Sequence, residues 1–522
     1  MQLMLRLAVW MGSIVLMISR PLFWFWNRKQ PPKIPPTDNP LLLLSATELA
    51  KRIRLRQVSS EAVVTAYIDR IKQVNPILNA VVDERYEDAI GEAQNYDKML
   101  DTGEITVEII SVTQPLFGVP ITVKESCGVK GLSNTGCTMI RRGIKATEDC
   151  LAVQIMKRAG AILLCVTNTP ELCSTFETSN CVYGTTVNPY DGRRSAGGSS
   201  GGEGALLGAG ASLIGIASDT AGSIRVPGLW NGIFGHKPTP GIVPLKGHYP
   251  LLDNDKFQQY LVLGPMTRYA EDLLLAFKIL SADSKQNLHL DEPVDVSKLN
   301  VWYMEDMGPT FGLFPTSEDI KDAIRQAASH FQKIGARISK SDIDGISNIC
   351  EITLACFLDM GDRPCILMHP NNKEEPVNAT LEFVKSLVGL SQYSRPAILT
   401  RMFQDANGLV AVSAVTKYVR LVEELRITLL ELLGDNGVLL CPTFASAAPL
   451  IGQTFFKSTG GCYSAICNVL CFPSTQVPMG LNDRGLPIGF QVVAAPYQDR
   501  LCLAVARELE QVFGGWVPPT TS

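Results

Sequence analysis

The sequence has no excess of charge of either sign. Its 522 residues include 47 lysines and arginines against 51 aspartates and glutamates, which leaves a formal net charge of -4. A chain without a basic excess has little to neutralise a phosphate backbone, so nucleic acid is not an expected partner. Hydrophobic residues make up 46% and charged residues 19%. This composition excludes a disordered chain and is typical of a large globular protein.

Histidine is scarce, and the cysteines show no paired spacing. The five histidines never form an HxxxH pattern, and the 14 cysteines contain no CxxC pair. These absences exclude a disulfide scaffold, and we predict neither a metal nor another cofactor. They also leave no evident serine and histidine pair, so the base of a hydrolytic site is expected to be another residue. We interpret His236 as a packed structural side chain.

No hydrophobic run is long enough to cross a bilayer squarely. The uncharged middle of the N-terminal apolar segment, from Leu7 to Ser19, has 13 residues, against ~20 for a spanning helix. Snorkelling of Arg6 and Arg20 would lengthen this span, and the aromatic cluster at 22–26 is typical of a membrane interface. We therefore predict a membrane anchor over residues 1–30. A cleaved secretory signal is the alternative.

The segment after this anchor sets the expected domain organisation. Residues 31–40 are rich in proline, which is typical of a stiff spacer, and residues 41–522 form the globular body. Basic residues near the anchor favour a cytosolic body by the positive-inside bias. We predict a single-pass anchor on an intracellular membrane, the endoplasmic reticulum or a lipid droplet. The N-x-T sequon at Asn378 is instead compatible with a luminal body, so the orientation stays open.

Short apolar runs alternate with longer helical patterns along the body. Helical spacing appears between Val63 and Val74 and from Ala411 to Leu433, and Ser45 with Glu48 resembles a capping box. Runs bounded by glycine, proline or polar residues are typical of strands buried on both faces. They lie at 162–166, 213–217, 438–441 and 488–493. We predict an α/β fold with a mixed β-sheet sandwiched by helices.

Three motifs between residues 120 and 225 indicate a candidate catalytic site. They are an apolar run that ends in Lys124, GGSSGG at 197–202, and SDTAGSIR at 218–225. Taken singly, each has an ordinary explanation as a solvated lysine, a flexible linker or a turn. However, GGSSGG runs into an apolar segment, which favours a loop that enters a helix inside the core. The backbone N–H groups of such a loop would bind a phosphate or stabilise an oxyanion. The lysine of a P-loop does not follow the motif, which disfavours a phosphate site.

These words and their spacing resemble the amidase signature family. Lys124 precedes Ser199 by 75 residues, Ser199 precedes Ser223 by 24, and GGSSGGEGA and DTAGSIR are similar to the motifs of that family. The resemblance extends from about residue 41 to residue 516. Within the family it is strongest to the membrane-anchored fatty-acid amide hydrolases, type 2 in particular. One departure is Ala221 where the family usually has glycine, and an alanine would be strained there if φ were positive.

The resemblance implies a Ser-cisSer-Lys triad, with Ser223 as nucleophile, Ser199 as relay and Lys124 as base. The chemistry is reasonable, because a serine hydroxyl needs a positioned base and a lysine at the end of an apolar run is placed to be desolvated. The backbone N–H groups that would then face the carbonyl oxygen belong to Thr220, Ala221, Gly222 and Ser223.

Nearby residues receive supporting roles. Ser200 is expected to hold Lys124 by a hydrogen bond, and Asp219 and Arg225 either brace the nucleophile loop or touch substrate. Residues 172–176 are expected to line an acyl pocket.

The substrate is less well defined than the reaction. A second apolar stretch, residues 381–403, is interleaved with basic residues and would lie in a membrane interface or form a core helix pair broken at Pro396. With the anchor, it favours fatty-acid amides as substrates, either primary amides or N-acylethanolamines, and a membrane as partner, with a homodimer as a further option. The alternatives are a small-amide or glutaminyl-type amidase and a non-catalytic lipid-binding relative.

Overall fold

The computed structural model describes most of the body and little of the N-terminal segment. The described residues are seven isolated positions within the first 25 and the ranges 32–103, 106–306, 314–341, 343, 346–361, 365–367, 377–406 and 412–519. Within these residues, none of the helices has both the length and the apolar composition that crossing a bilayer requires. The anchor at 1–30 falls almost entirely outside them and stays a prediction.

Eleven strands of the described chain form one mixed sheet in the order β1-β3-β2-β6-β8-β7-β12-β13-β11-β9-β10. Its two ends contain parallel neighbours, such as β2 with β6 and β9 with β11, and its middle is antiparallel. The strands, including the separate β4-β5 hairpin, are β1 (Val81–Glu84), β2 (Pro120–Lys124), β3 (Ile162–Thr167), β4 (Ser179–Asn180), β5 (Gly184–Thr185), β6 (Ile214–Asp219), β7 (Phe234–Lys237), β8 (Val262–Thr267), β9 (Asn300–Tyr303), β10 (Arg337–Lys340), β11 (Gly437–Cys441), β12 (Ser474–Leu481) and β13 (Pro487–Ala494).

Helices cover both faces of this sheet. They are α1 (Ala46–Arg54), α2 (Ser60–Leu78), α3 (Tyr86–Asp101), α4 (Val107–Thr113), α5 (Leu151–Arg158), α6 (Gly201–Gly208), α7 (Arg225–Trp230), α8 (Asp255–Tyr260), α9 (Ala270–Leu280), α10 (Glu318–Lys333), α11 (Ile349–Asp359), α12 (Ala379–Leu387), α13 (Arg395–Asp405), α14 (Val412–Leu433), α15 (Cys462–Val469) and α16 (Asp499–Phe513). The predicted mixed sheet between helices is confirmed.

Alternation along the strands explains the two faces. On β11, Val438 and Leu440 join the large core with α10 and α16, whereas Leu439 and Cys441 join a second core with α11, α14 and α15. Successive strand side chains point to opposite faces, so a strand that is apolar throughout can serve both cores. This is why the four apolar runs predicted as strands are found as β3, β6, β11 and β13.

The N-terminal helices begin as the sequence predicts. The Ser45 hydroxyl accepts from the Glu48 N–H at 3.0 Å, which caps α1. The return half of the capping box is not made, because the Glu48 carboxylate pairs with Arg52 at 2.7 Å instead. The predicted helical pattern at 63–74 lies within α2, and the pattern at 411–433 corresponds to α14.

The proline-rich segment is extended but is bound to the body. Residues 32–39 form no helix or strand. Ile34 is buried, and Arg70 of α2 donates to the Pro36 carbonyl at 3.1 Å and to the Thr37 hydroxyl at 3.0 Å. The segment therefore contributes contacts to the body as well as spacing.

The apolar stretch at 381–403 forms two short helices joined by a loop. Ala397 and Ile398 of α13 are buried in a small core with Ala379 of α12. Pro396 does not break a helix, because it lies in the first turn of α13, where its missing N–H is unneeded. Other apolar side chains of this stretch are solvent-exposed, from 52% to 74%: Leu381, Val384, Leu387, Val388 and Leu390. We call these five the α12 apolar face. Asn378 caps α12 by accepting from the Leu381 N–H at 3.0 Å.

Candidate active site

Lys124 ends the buried strand β2 and is fully enclosed. Its Nζ lies 2.6 Å from the Ser199 Oγ, 2.9 Å from the Ser218 Oγ and 3.4 Å from the Ser218 carbonyl oxygen. β2 and β6 run parallel and side by side, so their C-terminal ends lie at the same edge of the sheet. This topology brings Lys124 beside Ser218 and the loop that follows β6.

The GGSSGG word forms a tight turn into α6, as predicted. All of α6 and both serines of the word are buried. A Cβ at Gly198 would lie 2.4 Å from the Thr175 carbonyl oxygen, so only glycine fits there. The Gly198–Ser199 peptide bond is cis. The Ser199 hydroxyl, at the start of the turn, lies 2.6 Å from the Lys124 Nζ.

A buried ion pair braces the loop after β6. The Asp219 carboxylate accepts from the Gly222 N–H at 2.7 Å and the Ile224 N–H at 2.9 Å, and pairs with Arg225 at 3.0 Å. Burial raises the pKa of Asp219, but the charge of Arg225 and these hydrogen bonds outweigh it and hold the pKa well below its usual range. Of the two roles left open for these residues, the described contacts are those of bracing.

No sequence pattern indicates the further partners of Arg225, which complete the bracing of this loop. Arg225 also donates to the Asn468 side chain at 2.6 Å and to the Gln491 side chain at 2.8 Å. Both partners lie more than 240 residues further along the chain, on α15 and β13. No short-range motif links them to the nucleophile word, so they were missed.

Glycine is required within this loop at Gly222, not at the position of Ala221. Gly222 has φ +117°, and a Cβ there would lie 2.5 Å from the Ser464 Cβ. Ala221 is not among the residues with positive φ, so alanine is accommodated without strain. The departure from the family motif therefore does not distort the loop.

One member of the expected oxyanion hole is already occupied. Because the Gly222 N–H donates to Asp219, it is not free to face a substrate oxygen. Thr220 and Ala221 line the cavity described below, so their N–H groups, with that of Ser223, remain the candidates. The predicted set is thus reduced from four donors to three.

The expected contact between Ser200 and Lys124 is wrong. The Ser200 hydroxyl donates to the Ser218 carbonyl at 3.4 Å, because consecutive side chains of the turn point in different directions. Ser218 holds Lys124 instead. The sequence word SDTAGSIR contained this serine, but its position at the end of β6 was needed to identify its partner. The Ser200 N–H donates to the Ser223 carbonyl at 3.3 Å and so joins the two loops.

A buried glutamate lies behind Lys124. Glu203 of α6 accepts from the Thr122 hydroxyl at 2.5 Å and the Thr167 hydroxyl at 2.8 Å. Burial raises the pKa of Glu203 to about 7, against the opposing effects of both hydroxyls and of the Lys124 charge. Near neutral pH this carboxyl is therefore protonated in much of the population, which reduces the negative charge near Lys124.

A largely apolar cavity of about 590 Å³ reaches the loop after β6, where Ser218, Thr220 and Ala221 line it. Lys124, Ser199 and Ser223 are not among its lining residues, but Lys124 contacts Ser218, which lines it. Residues 172–176, which were expected to line an acyl pocket, all line this cavity. Further apolar walls come from α11, α13 and the loop before α15, and include Leu354, Phe357, Phe403, Phe455 and Phe456.

His236 is a packed structural residue, as predicted. It is fully buried, and its ring nitrogens contact the Thr475 hydroxyl at 2.8 Å and the Asp499 carboxylate at 3.1 Å. It takes no part in the network around Lys124.

Comparison with known proteins agrees with this fold and these motifs. The Amidase family model matches residues 62–503. The human protein "Fatty-acid amide hydrolase 2" is 38% identical over 98% of this chain and 96% of its own length. The zebrafish (Danio rerio) "Fatty-acid amide hydrolase 2-A" is 39% identical over 99% of this chain and 96% of its own length.

A solved structure of a "Fatty acid amide hydrolase" superposes with a TM-score of 0.73, at 22% identity over 91% of this chain and 86% of that one. At that identity it supports the fold alone. The family model and the two relatives together show that this chain belongs to the amidase family and is an amide-hydrolysing enzyme.

Proposed function

We propose that this enzyme hydrolyses the amide bond of long-chain fatty-acid amides through an acyl-enzyme on Ser223, with Ser199 as relay and Lys124 as base. The observation that carries the proposal is the Lys124–Ser199 contact of 2.6 Å, joined to an apolar cavity through Ser218, which contacts Lys124 and lines the cavity. The two relatives named as fatty-acid amide hydrolases support the choice of substrate.

The described partners of the Lys124 Nζ are all uncharged groups: the Ser199 hydroxyl, the Ser218 hydroxyl and the Ser218 carbonyl. The proposed reaction requires the neutral amine, whose lone pair would accept the Ser199 proton while its N–H groups donate to Ser218.

The reaction then moves one proton along the two serines. Lys124 takes the Ser199 proton, Ser199 takes the Ser223 proton, and the Ser223 Oγ attacks the amide carbon. The N–H groups of Thr220, Ala221 and Ser223 stabilise the oxyanion, and one such donor typically contributes ~3 kcal/mol. The proton returns through Ser199 to the leaving amine, and a water hydrolyses the ester by the same path in reverse.

The cavity supports an acyl chain as the group bound there. Its volume lies within the roughly 300–1,000 Å³ of small-molecule sites, and its walls away from the loop carry phenylalanines and leucines. An alkyl chain placed there buries apolar surface while its carbonyl carbon remains near Ser218 and Thr220. A short amide would leave most of this space unfilled.

A chain-length series tests the substrate. Each buried methylene contributes ~0.8 kcal/mol, so kcat/KM should rise about fourfold per added CH₂ until the cavity is filled. Primary amides and ethanolamides from 4 to 18 carbons are assayed below their micelle-forming concentrations. Equal rates for butyramide and oleamide would favour the small-amide alternative. No turnover of any amide would favour the non-catalytic alternative.

The α12 apolar face supports a membrane surface as the source of substrate. α13 contributes Pro396, Thr400 and Phe403 to the cavity wall, and it packs against α12, so the exposed face and the cavity share one helix pair. An apolar face of this kind inserts at the level of the lipid headgroups. Together with the predicted anchor it would give the enzyme two membrane contacts.

Vesicle binding tests this second contact. In protein lacking residues 1–30, Leu387→Asp combined with Leu390→Asp should weaken flotation with phospholipid vesicles. Val112→Asp is the matched control, because Val112 is 81% exposed but lies on α4. Equal binding by all three proteins would contradict the proposed contact.

A further inference from the structure

A cysteine and a histidine that the proposed reaction does not use face the same cavity. Cys173 and His248 both line it, beside Ser218 and Thr220. Cys173 is partly exposed, in contrast to most of the cysteines, which are buried. A reagent that occupies the cavity therefore has access to this thiol.

The imidazole of His248 is oriented as a proton acceptor. Its Nδ1 lies 2.8 Å from the Pro250 carbonyl oxygen, which can only accept, so Nδ1 carries the hydrogen. Nε2 is then unprotonated in the neutral ring. His248 is 6% exposed, and its Nε2 has no hydrogen-bond partner of normal geometry among the described residues. A buried, unpartnered acceptor beside a thiol is an arrangement that activates sulfur.

The electrostatics around the thiol favour the thiolate. Burial raises the pKa of Cys173, but the charge on Lys124, followed by the interactions with His248 and Thr169, outweighs it and brings the pKa to about 5. When Lys124 is neutral, His248 remains as the proton acceptor. The other titratable groups that interact with this thiol oppose its ionisation or are thiols themselves: Glu125, Cys127 and Cys137.

We propose that Cys173 and His248 form a covalent modification site for α,β-unsaturated carbonyl compounds with an alkyl chain, such as the enals that arise from lipid oxidation. The choice of a long-chain electrophile rests on the proposed function, because the chain would occupy the acyl cavity. The reactivity of the Cys173 thiol does not depend on the proposed function. The adduct fills the space in front of Ser218 and Thr220 and so inactivates the enzyme.

The chemistry is a conjugate addition that needs no oxidant. The thiol proton moves to His248 Nε2, and the sulfur forms a bond to the β carbon of the enal. The C=C π electrons move toward the carbonyl as an enolate. The enolate takes the proton back from Nε2 at its α carbon. Nothing leaves, and the product is a saturated aldehyde joined to Cys173 by a thioether.

Cys181 is the matched control for reactivity. It is more exposed than Cys173, but partial burial and the charge of Glu171 raise its pKa to about 11. The charge on Lys124 favours the thiolate at Cys173, and beside the neutral Lys124 of the proposed reaction the interactions with His248 and Thr169 still favour it, whereas no such partner lowers the pKa of Cys181. The intrinsic nucleophilicity of the more basic Cys181 sulfur offsets part of this difference. We expect Cys173 to be modified at least about tenfold faster.

The test treats the full-length enzyme with trans-2-nonenal or trans-2-hexenal at pH 7 and maps adducts by mass spectrometry against time. We expect an adduct on Cys173 before Cys181, with loss of activity in proportion, and a rate with nonenal about tenfold or more above that with hexenal. Cys173→Ser should remove this adduct, Cys181→Ser should leave its rate unchanged, and His248→Gln should slow it.

Three results would overturn the proposal: modification of Cys181 before Cys173, an unchanged rate in His248→Gln, or equal rates with the two enals. The proposed function fails separately. If amide hydrolysis depends on chain length but Cys173 stays unmodified, the modification site is wrong and the hydrolase is not. If Cys173 is modified with the expected chain preference but Ser223 forms no acyl-enzyme, the proposed reaction is wrong and the modification site is not.

Discussion

Among the residues that the structure describes, two lysines are fully buried at the ends of strands, and one of these two adjoins the candidate site. Lys124 ends β2 and contacts the hydroxyls of Ser199 and Ser218. Lys237 ends β7, and its Nζ donates to the Pro238 carbonyl at 3.0 Å. Burial, followed by the charge of Arg225, lowers the pKa of Lys237 to about 8.

Burial alone does not distinguish Lys124, the base that we propose, from Lys237. Both side chains are desolvated, but a carbonyl can only accept a hydrogen bond, so Pro238 has no proton to give to Lys237. Ser199 has one, and its loop is bonded to the loop of Ser223. A hydroxyl beside the amine, on a loop bonded to that of Ser223, is what distinguishes Lys124 from Lys237.

The largest effect should come from replacing Lys124, with the replacement of Lys237 as its comparison. Lys124→Ala should lower kcat/KM at pH 7 by roughly 10³- to 10⁴-fold, with partial recovery as hydroxide replaces the base at higher pH. Lys237→Met should change kcat/KM by less than about tenfold and give no such recovery. Steady-state rates from pH 6 to pH 10 measure both. A flat loss across pH in Lys124→Ala would indicate a structural lysine.

The next largest effect concerns the buried ion pair between Asp219 and Arg225, which lies near both lysines. Asp219→Asn leaves the Arg225 guanidinium buried without its counter-charge, and breaking such a pair costs about 3–5 kcal/mol of unfolding free energy. Because Arg225 also bonds Asn468 on α15 and Gln491 on β13, the loss should appear as instability of the whole body. Denaturant unfolding measures it. Full stability in Asp219→Asn would contradict the bracing role.

Glu203 offers a pH-dependent test on the Lys124 side. Its pKa is raised from 4.5 to about 7, so the folded protein binds an extra proton and loses stability as pH rises from 4.5 through 7. Glu203→Gln keeps a neutral group of the same shape and should remove this loss, by at most about 3 kcal/mol above pH 8. Thermal unfolding of both proteins at pH 5 and pH 8 measures the difference. An equal gap between them at the two values would contradict the raised pKa.

The smallest effect separates two neighbouring serines. Ser218→Ala removes a hydrogen bond to Lys124, whereas Ser200→Ala removes a long bond to a carbonyl. A hydrogen bond of this kind contributes about 1 kcal/mol, so kcat/KM should fall roughly fivefold to tenfold in Ser218→Ala. The fall should be smaller in Ser200→Ala. The opposite order would restore Ser200 as the residue that holds Lys124.

The sequence predicted the parts of this fold and site that depend on local pattern. β2, β6 and α6 could be predicted because each corresponds to a continuous apolar run or a glycine-rich motif in the sequence. The pairing of Lys124 with Ser199 came from the family resemblance, and periodicity alone could not give it. The roles of Ser218 and of the Gly222 N–H depend on where β6 ends and how the loop turns. Such details are set by tertiary packing, so the sequence-based assignments there were wrong.

The residues that complete the site come from distant segments. Asn468 and Gln491 approach Arg225 only because β13, α15 and the nucleophile loop meet in the folded body. Cys173 and His248 are 75 residues apart, and neither belongs to a recognisable motif. No pattern in the sequence relates such residues to one another, because their contact depends on the complete chain path.

The central claim is that Ser223, served by Lys124 through Ser199, forms the acyl-enzyme. It is tested most directly by inactivating the full-length enzyme with a fluorophosphonate and locating the adduct by mass spectrometry. We predict one adduct per chain on Ser223, prevented by prior occupation with a long-chain amide and much slower in Lys124→Ala than in Lys237→Met. An adduct on Ser199 or Ser200, with Ser223 unmodified, would contradict the account.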